Sequence, residues 1–275
     1  MRTFIIGDVH GMLPELESLV GLLRPQEGDR FALLGDLVDK GPDSIGVVDY
    51  VRKLVGAFPG STVIAGNHEE SALRLYDKAQ KAGNWDGIRK VDKEPWLRDL
   101  DSDRAEWIRS LPLFARLVDY PYHVMLVHGG LFPAYFDHYD AFPSDSPEDW
   151  HKGGGKLVDR MRRILRIRHV YNPGALSDKG KDVSGQMVEL GNEGPSTQRW
   201  ADWYDGREGF VFFGHDPSRS GEPIRYSHAV GMDTGAVFGG RLTAAILEDG
   251  SDPSSVRFAS VPGRPIVAWL EAFEA

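Results

Sequence analysis

Five short segments of this chain set Asp, Asn and His beside glycine in a pattern suited to holding metal ions. They are Gly7-Asp8-Val9-His10-Gly11, Gly35-Asp36-Leu37-Val38-Asp39, Gly66-Asn67-His68-Glu69, Val127-His128-Gly129-Gly130 and Gly214-His215-Asp216. Each follows a short apolar run, which is how a sheet protein presents ligands from its strand ends. Taken singly, each is an ordinary turn or a structural histidine. Together, in order and each at the end of an apolar run, they are hard to produce by accident.

The chemistry such a set can do is two-metal hydrolysis. Two divalent cations about 3.5–4 Å apart clamp an attacking hydroxide and a phosphoryl oxygen together. The site needs a bridging carboxylate, further oxygen or imidazole ligands, and open positions. Asp8 and His10 alternate on an extended stretch, so both can face one pocket rim. Asp36, at the next strand end, is the bridging candidate. Asn67, His128 and His215 offer an amide oxygen and two imidazoles for the second metal. Oxygen and imidazole without sulfur suit manganese, the expected metal, with iron, zinc, cobalt and nickel as alternatives. His68 directly follows Asn67 and is better placed to protonate a leaving oxygen than to share its neighbour's metal. Asp39 is positioned to orient that imidazole and hold it protonated. Lys40 and Asn67 can neutralise a bound phosphate. The remaining histidines, His123, His138, His151, His169 and His228, are assigned to structure or surface.

The elements that must carry these groups are legible in the apolar spacing. Residues 3–6, 31–34 and 61–65 read as strands, each ended by a glycine or a ligand motif. Between them, Leu13, Leu16, Val20 and Leu23, then Ile45, Val48, Val51 and Val55, give one-faced helical stripes, the second capped by Asp43 or Ser44 after Pro42. Strand, loop and helix alternate, which favours a mostly parallel sheet with helices on its faces. Residues 123–127, 210–213 and 242–247 supply later strands, and 256–261 an edge strand. Segments 77–103 and 144–203 lack this rhythm and read as insertions that cap the ligand end of the sheet. The chain is expected to form one domain over residues 1–275.

The 275 residues are 41% hydrophobic, with a formal net charge of −9, a balance that disfavours non-specific nucleic-acid or anionic-membrane binding. The absence of cysteine excludes disulfides, thiolate zinc sites, iron–sulfur clusters and a thiol nucleophile. No signal-like or membrane-length apolar stretch is evident, so a cytoplasmic protein is expected.

This motif set resembles that of the calcineurin-like metallophosphoesterases, specifically the phosphoprotein phosphatase superfamily, from Gly7 to about Val261. The resemblance implies an α/β fold: a four-layer αββα sandwich carrying cap insertions, with a two-metal site at the sheet edge. It implies that Asp8, His10 and Asp36 bind one metal, that Asp36, Asn67, His128 and His215 bind the other, and that His68 and Asp39 are the acid and its orienter. Where protein phosphatases usually carry arginine in the second motif, this chain has Asp39-Lys40-Gly41-Pro42. That feature looks like the ApaH-like phosphatases, relatives of bacterial symmetrical diadenosine tetraphosphatases. So do the segments Gly214-His215-Asp216-Pro217-Ser218-Arg219 and 232–243. The branch implies cleavage of phosphoanhydrides in dinucleoside polyphosphates, capped RNA ends or polyphosphate. The competing expectations are a serine/threonine protein phosphatase or broad phosphomonoesterase, and a non-catalytic nucleotide sensor; the intact ligand set argues against the last.

Two further features bear on substrate. Lys152, Lys156, Arg160, Arg162, Arg163, Arg166 and Arg168 form the strongest basic cluster, interleaved by Leu157, Met161, Ile164 and Leu165 at helical spacing. It is either the solvated face of a helix or a phosphate clamp, with Arg168 the chosen contact by similarity to ApaH-like segments. Trp85, Trp96, Trp200, Trp203 and Tyr204 are core residues by default and adenine-stacking candidates as the alternative. Asp233-Thr234-Gly235 reads as a turn supporting the metals.

Overall fold

Strand β1 (Arg2–Ile6) leads into helix α1 (Leu13–Leu23), β2 (Arg30–Leu33) into α2 (Ser44–Ala57), and the short β3 (Thr62–Val63) into α3 (Asn67–Ala82). This is a computed structural model that describes residues 1–117, 120, 122–131, 146, 148, 150–152 and 162–268. The three strands are parallel, with Ile6 opposite Leu33 and Leu33 opposite Val63. Their carboxyl ends therefore coincide, and the loops bearing Asp8, Asp36 and Asn67 leave the sheet side by side. Helix α2 starts where expected: the Asp43 carboxylate accepts from the Gly46 N–H at 2.7 Å, the bond of an N-cap.

The mostly parallel expectation holds for three strands of each of two sheets, at one side of the first and at the centre of the second. In the first, β11 (Arg241–Glu248) lies antiparallel against β1, and β12 (Arg257–Pro262) closes the edge antiparallel to β11. In the second, β5 (Val124–Val127), β8 (Phe210–Phe213) and β10 (Ala229–Gly231) are parallel, flanked by antiparallel β4 (Phe114–Leu117) and β9 (Ile224–Arg225). Antiparallel neighbours need no helical crossover, so the connections to these flanking strands are short and carry no helical stripe to read.

Unbroken apolar strands sort their side chains by alternation. Ile5, Ala32, Leu126, Phe212 and Leu247 enter a core shared by the two sheets. Phe4, Ile6, Met125, Val127, Val211 and Phe213 turn outward, to the core formed with the helices. Both faces of each sheet are covered, which is the αββα sandwich.

Segment 77–103 is not irregular. Its start belongs to α3, followed by α4 (Lys90–Lys93), a 3-10 turn (Pro95–Asp99) and the opening of α5 (Ser102–Ser110). Ala72, Leu75 and Ala79 of α3 pack with Ile88, Val91 and Leu97 in a core of their own. Helical pieces of a few residues are too short to display a period. In the second segment, β6 (His169–Tyr171) and β7 (Thr197–Arg199) form a separate two-stranded sheet. Arg162–Leu165 is a 3-10 turn, while Lys156, Leu157, Arg160 and Met161, like His138 and Gly153 to Gly155, lie outside the described residues. Trp200 and Tyr204 are core residues, 1% and 6% exposed, with the Trp200 indole donating to the Gly129 carbonyl at 3.1 Å. Neither can stack on a nucleobase. Among the described residues no helix is long and apolar enough to cross a membrane.

Candidate metal centre

The parallel strands of both sheets end at one place. His128 follows β5 directly, and His215 lies just past β8, whose Phe213 is opposite Val127. The two sheets thus bring Asp8, His10, Asp36, Asn67, His128 and His215 together, all of them buried. Asp36 is the hub. Its Oδ2 is 3.6 Å from His10 Nε2, 3.8 Å from His68 Nε2 and 3.3 Å from His128 Nε2. His10, Asp36 and His68 offer donor atoms within 4.8 Å of one another, and so do Asp36, His128 and His215. Two metal-sized groups therefore share the carboxylate read as bridging.

The imidazoles are oriented from behind. His10 Nδ1 donates to the Val38 carbonyl at 2.9 Å and His128 Nδ1 to the Leu34 carbonyl at 2.7 Å, which presents both Nε2 atoms to the centre. His215 is turned the other way, with Nε2 donating to the Arg166 carbonyl at 3.2 Å. Such back-bonding fixes tautomer and ring direction. Asn67 Oδ1 lies 3.0 Å from His128 Nε2. Asp8 Oδ2 is 4.0 Å from His10 Nε2, and the Asp8 carboxylate accepts from the His215 N–H at 3.1 Å.

Backbone strain is concentrated here. Of the six non-glycine residues with positive φ among the described residues, His10, Asp36, Asp39, Lys40 and His215 belong to the predicted site. The left-handed conformation is unfavourable for such residues, so packing must impose it. The glycines of the motifs allow that packing. A Cβ on Gly66 would stand 2.2 Å from Asp36 Oδ1, and one on Gly214 would stand 2.1 Å from Asp8 Oδ1. These glycines are there so that one strand-end loop can touch the next.

The electrostatics are those of a site that needs cations. Burial, reinforced by the carboxylates of Asp233 and Asp36, pushes Asp8 well above the usual carboxylate range. Burial likewise raises Asp233 to about 6. Asp36 goes the other way: burial would raise it, but the rings of His128 and His68 hold it well below its ordinary value. His10 is lowered by burial and then by the charge of Lys40, and His215 by burial and then by Arg168. The lowered imidazoles of His10 and His215 and the raised, buried carboxylates of Asp8 and Asp233 fit a pair of divalent cations, which bind the one and relieve the other.

His68 and Asp39 form the expected pair, His68 Nδ1 donating to Asp39 Oδ2 at 2.7 Å. Its Nε2 is thereby left facing Asp36 and the centre. Burial outweighs the two carboxylates and lowers the His68 pKa below the ordinary histidine value. The protonated ring expected from the sequence thus needs a further negative charge nearby. Lys40 Nζ sits 3.1 Å from His10 Nε2. Arg168 is buried, donates to the His215 carbonyl at 3.1 Å, and lines a cavity of about 160 Å³ with Arg166, Met187, Val188, Glu189, Leu190, Glu193 and His215. A larger charged cleft lined by Asp77, Glu106, Arg109 and His151 contains none of the predicted site residues.

Several residues at the centre had no role in the sequence reading. Glu69 is fully buried: one oxygen accepts from Gly66 N at 2.7 Å and Asp36 N at 2.8 Å, the other from Leu37 N at 2.8 Å. It clamps the loop after β2 to the start of α3. The signal was present, an acid three residues after the helix N-cap. Glu70 pairs with Arg162 and with Arg166 at 2.7 Å, so part of the basic cluster is anchored rather than solvated. Asp216 is held by Arg199 at 2.7 Å. Lys90 and Glu94 also reach the site, from a segment without a motif, as does Trp96, which the sequence offered as a core residue or an adenine-stacking one.

Comparison with known proteins agrees with this geometry. The calcineurin-like phosphoesterase family profile matches residues 1–219. A symmetrical bis(5'-nucleosyl)-tetraphosphatase of Serratia proteamaculans is 29% identical, over 90% of this chain and 92% of its own. One of Pectobacterium atrosepticum is also 29% identical, with the same coverage of each chain. A crystal structure described provisionally as a diadenosine tetraphosphatase superposes with a TM-score of 0.66 at 27% identity, covering 96% of this chain and 94% of the other. The chain is a member of the calcineurin-like phosphoesterases, and hence a metal-dependent phosphoester hydrolase.

Proposed function

We propose that this phosphoesterase hydrolyses the phosphoanhydride bonds of dinucleoside polyphosphates, with diadenosine tetraphosphate as the expected substrate and manganese as the expected metal. The observation that carries the reading is the placement of charge about the shared carboxylate. Lys40 acts on His10 in one metal-sized group and Arg168 on His215 in the other. A chain of phosphates laid across the centre meets a cation at each end. The names of the tetraphosphatase relatives point the same way.

Asp8, His10 and Asp36 would hold one cation, and Asp36, Asn67, His128 and His215 the other. When bound, the pair supplies Lewis acidity and lowers the pKa of water at the site. The protein's own groups do the rest. Lys40 and Asn67 contact oxygens of the phosphoryl group under attack, and Arg168 holds the next phosphate. The polyphosphate brings the negative charge that lets His68 carry a proton on Nε2 despite its burial. Asp39 keeps Nδ1 occupied, so that Nε2 is the atom that delivers the proton to the leaving oxygen. Met187, Val188 and Leu190 beside Arg168 offer an apolar wall to a base. The acidic, cysteine-free composition supports a cytoplasmic setting, and the interlocked sheets support one domain.

Product analysis tests the proposal. Manganese-loaded protein is offered diadenosine tetraphosphate, polyphosphate, a phosphothreonine peptide and p-nitrophenyl phosphate in parallel. Fast symmetric cleavage to two ADP is expected. A preference for the phosphopeptide would overturn it in favour of a protein phosphatase.

A further inference from the structure

The Asp39-Lys40 turn is strained, with φ of +67° at both residues; the Asp39 N–H donates to the nearby Ser44 Oγ at 3.0 Å, and one distant stretch of chain holds the Asp39 carboxylate and the Lys40 N–H. Lys90 Nζ donates to Asp39 Oδ2 at 2.5 Å, and Trp96 Nε1 to Asp39 Oδ1 at 2.9 Å. Glu94 Oε1 accepts from the Lys40 N–H at 2.9 Å. Lys90 is braced by Ser71 Oγ at 3.2 Å. The segment is itself anchored by Ile88, Val91 and Leu97 against helix α3, whose first turn carries His68. With His68 on Oδ2, the Asp39 carboxylate thus meets side-chain donors on three sides and cannot rotate. From this arrangement we infer that Lys90, Glu94 and Trp96 are positioning residues for the hydrolytic step, aiming the His68–Asp39 pair and Lys40 together. The segment that reads in sequence as an insertion capping the ligand end of the sheet is on this account a brace for proton delivery.

The physical argument is one of angle. A carboxylate held by His68 alone swings about its Cβ–Cγ bond and takes the imidazole with it. Lys90 and Trp96 remove that freedom, and a small displacement of an acid from its line costs rate steeply. Glu94 acts on the backbone of the same turn, so the Asp39 carboxylate and the backbone from which Lys40 extends are held by one segment.

The inference rests on the proposed acid role of His68, and the test separates the two. Lys90→Met, Trp96→Phe and His68→Ala are compared with wild type in manganese, on p-nitrophenyl phosphate and phenyl phosphate. Nitrophenolate leaves without a proton, whereas phenolate needs one. Lys90→Met and Trp96→Phe should lower kcat on phenyl phosphate by about 10- to 100-fold, with much smaller losses on the nitrophenyl ester. KM and metal content should not change, and Lys90→Arg should recover part of the loss. If His68→Ala shows the leaving-group dependence and the Lys90 and Trp96 variants do not, the acid stands and the positioning role falls. If His68→Ala loses equally on both esters, the acid assignment falls and the inference with it. A loss common to both esters in Lys90→Met and Trp96→Phe, or a lower melting temperature that accounts for it, would reduce these residues to structural support and overturn the inference.

Discussion

The ammonium of Lys40 lies 3.1 Å from His10 Nε2, the nitrogen that His10 turns toward the centre because its Nδ1 is bonded to Val38. A divalent cation and an ammonium cannot share one lone pair. Metal binding must therefore displace Lys40, whose charge then becomes available to a phosphate. Lys40→Met should retain full metal content but raise KM for diadenosine tetraphosphate by about 10- to 100-fold, the worth of one charge-assisted hydrogen bond. Metal analysis and steady-state kinetics check this, and an unchanged KM would remove Lys40 from the substrate.

Asp36 is the one carboxylate common to both metal-sized groups. Asp36→Asn should weaken both cations together, whereas His10→Ala should weaken one. Calorimetric titration of metal into the two apo variants distinguishes these outcomes. Loss of a single equivalent in Asp36→Asn would contradict a bridging role.

Glu69 accepts from three backbone N–H groups. In Glu69→Gln the amide nitrogen must face at least one of them, donor against donor. A buried donor left unsatisfied costs about 1–3 kcal/mol, and the loss should appear in urea unfolding together with weaker metal binding, because Asp36 N is one of the three. Wild-type stability in this variant would mean that the clamp is dispensable.

Glu70 is a source of acid sensitivity. Burial would raise its pKa, but Arg166 and Arg162 hold it below the ordinary glutamate value. A depressed folded-state pKa stabilises the fold above the unfolded-state value, about 4.3, and that stabilisation is lost as pH falls through the folded value. Glu70→Gln should be less stable than wild type at pH 7 by about 1–2 kcal/mol, discounted for the partial exposure of the arginines. The gap should close on acidification. A pH-independent difference would assign the loss to packing instead.

The amino-acid sequence by itself determined which side chains could do the chemistry and where along the chain they stand. Asp8, His10, Asp36, Asn67, His128 and His215 are recognisable because each must sit where an apolar strand ends, beside a glycine that lets the loops touch. Both requirements are local and leave a local mark. The strands and long helices of the first half were legible for the same reason, since a face buried along many residues imposes a period. Tertiary structure alone decided the rest. Nothing local says that β11 and β12 turn antiparallel, that Trp200 is core rather than a stacking platform, or that Glu70 pairs with two arginines. Still less does it say that Lys90, Glu94 and Trp96, on pieces of helix too short to show a period, close around Asp39 and Lys40. Those contacts join residues 51 to 57 positions apart. They exist because a small apolar core holds that segment against helix α3, and only the packed fold brings the two together.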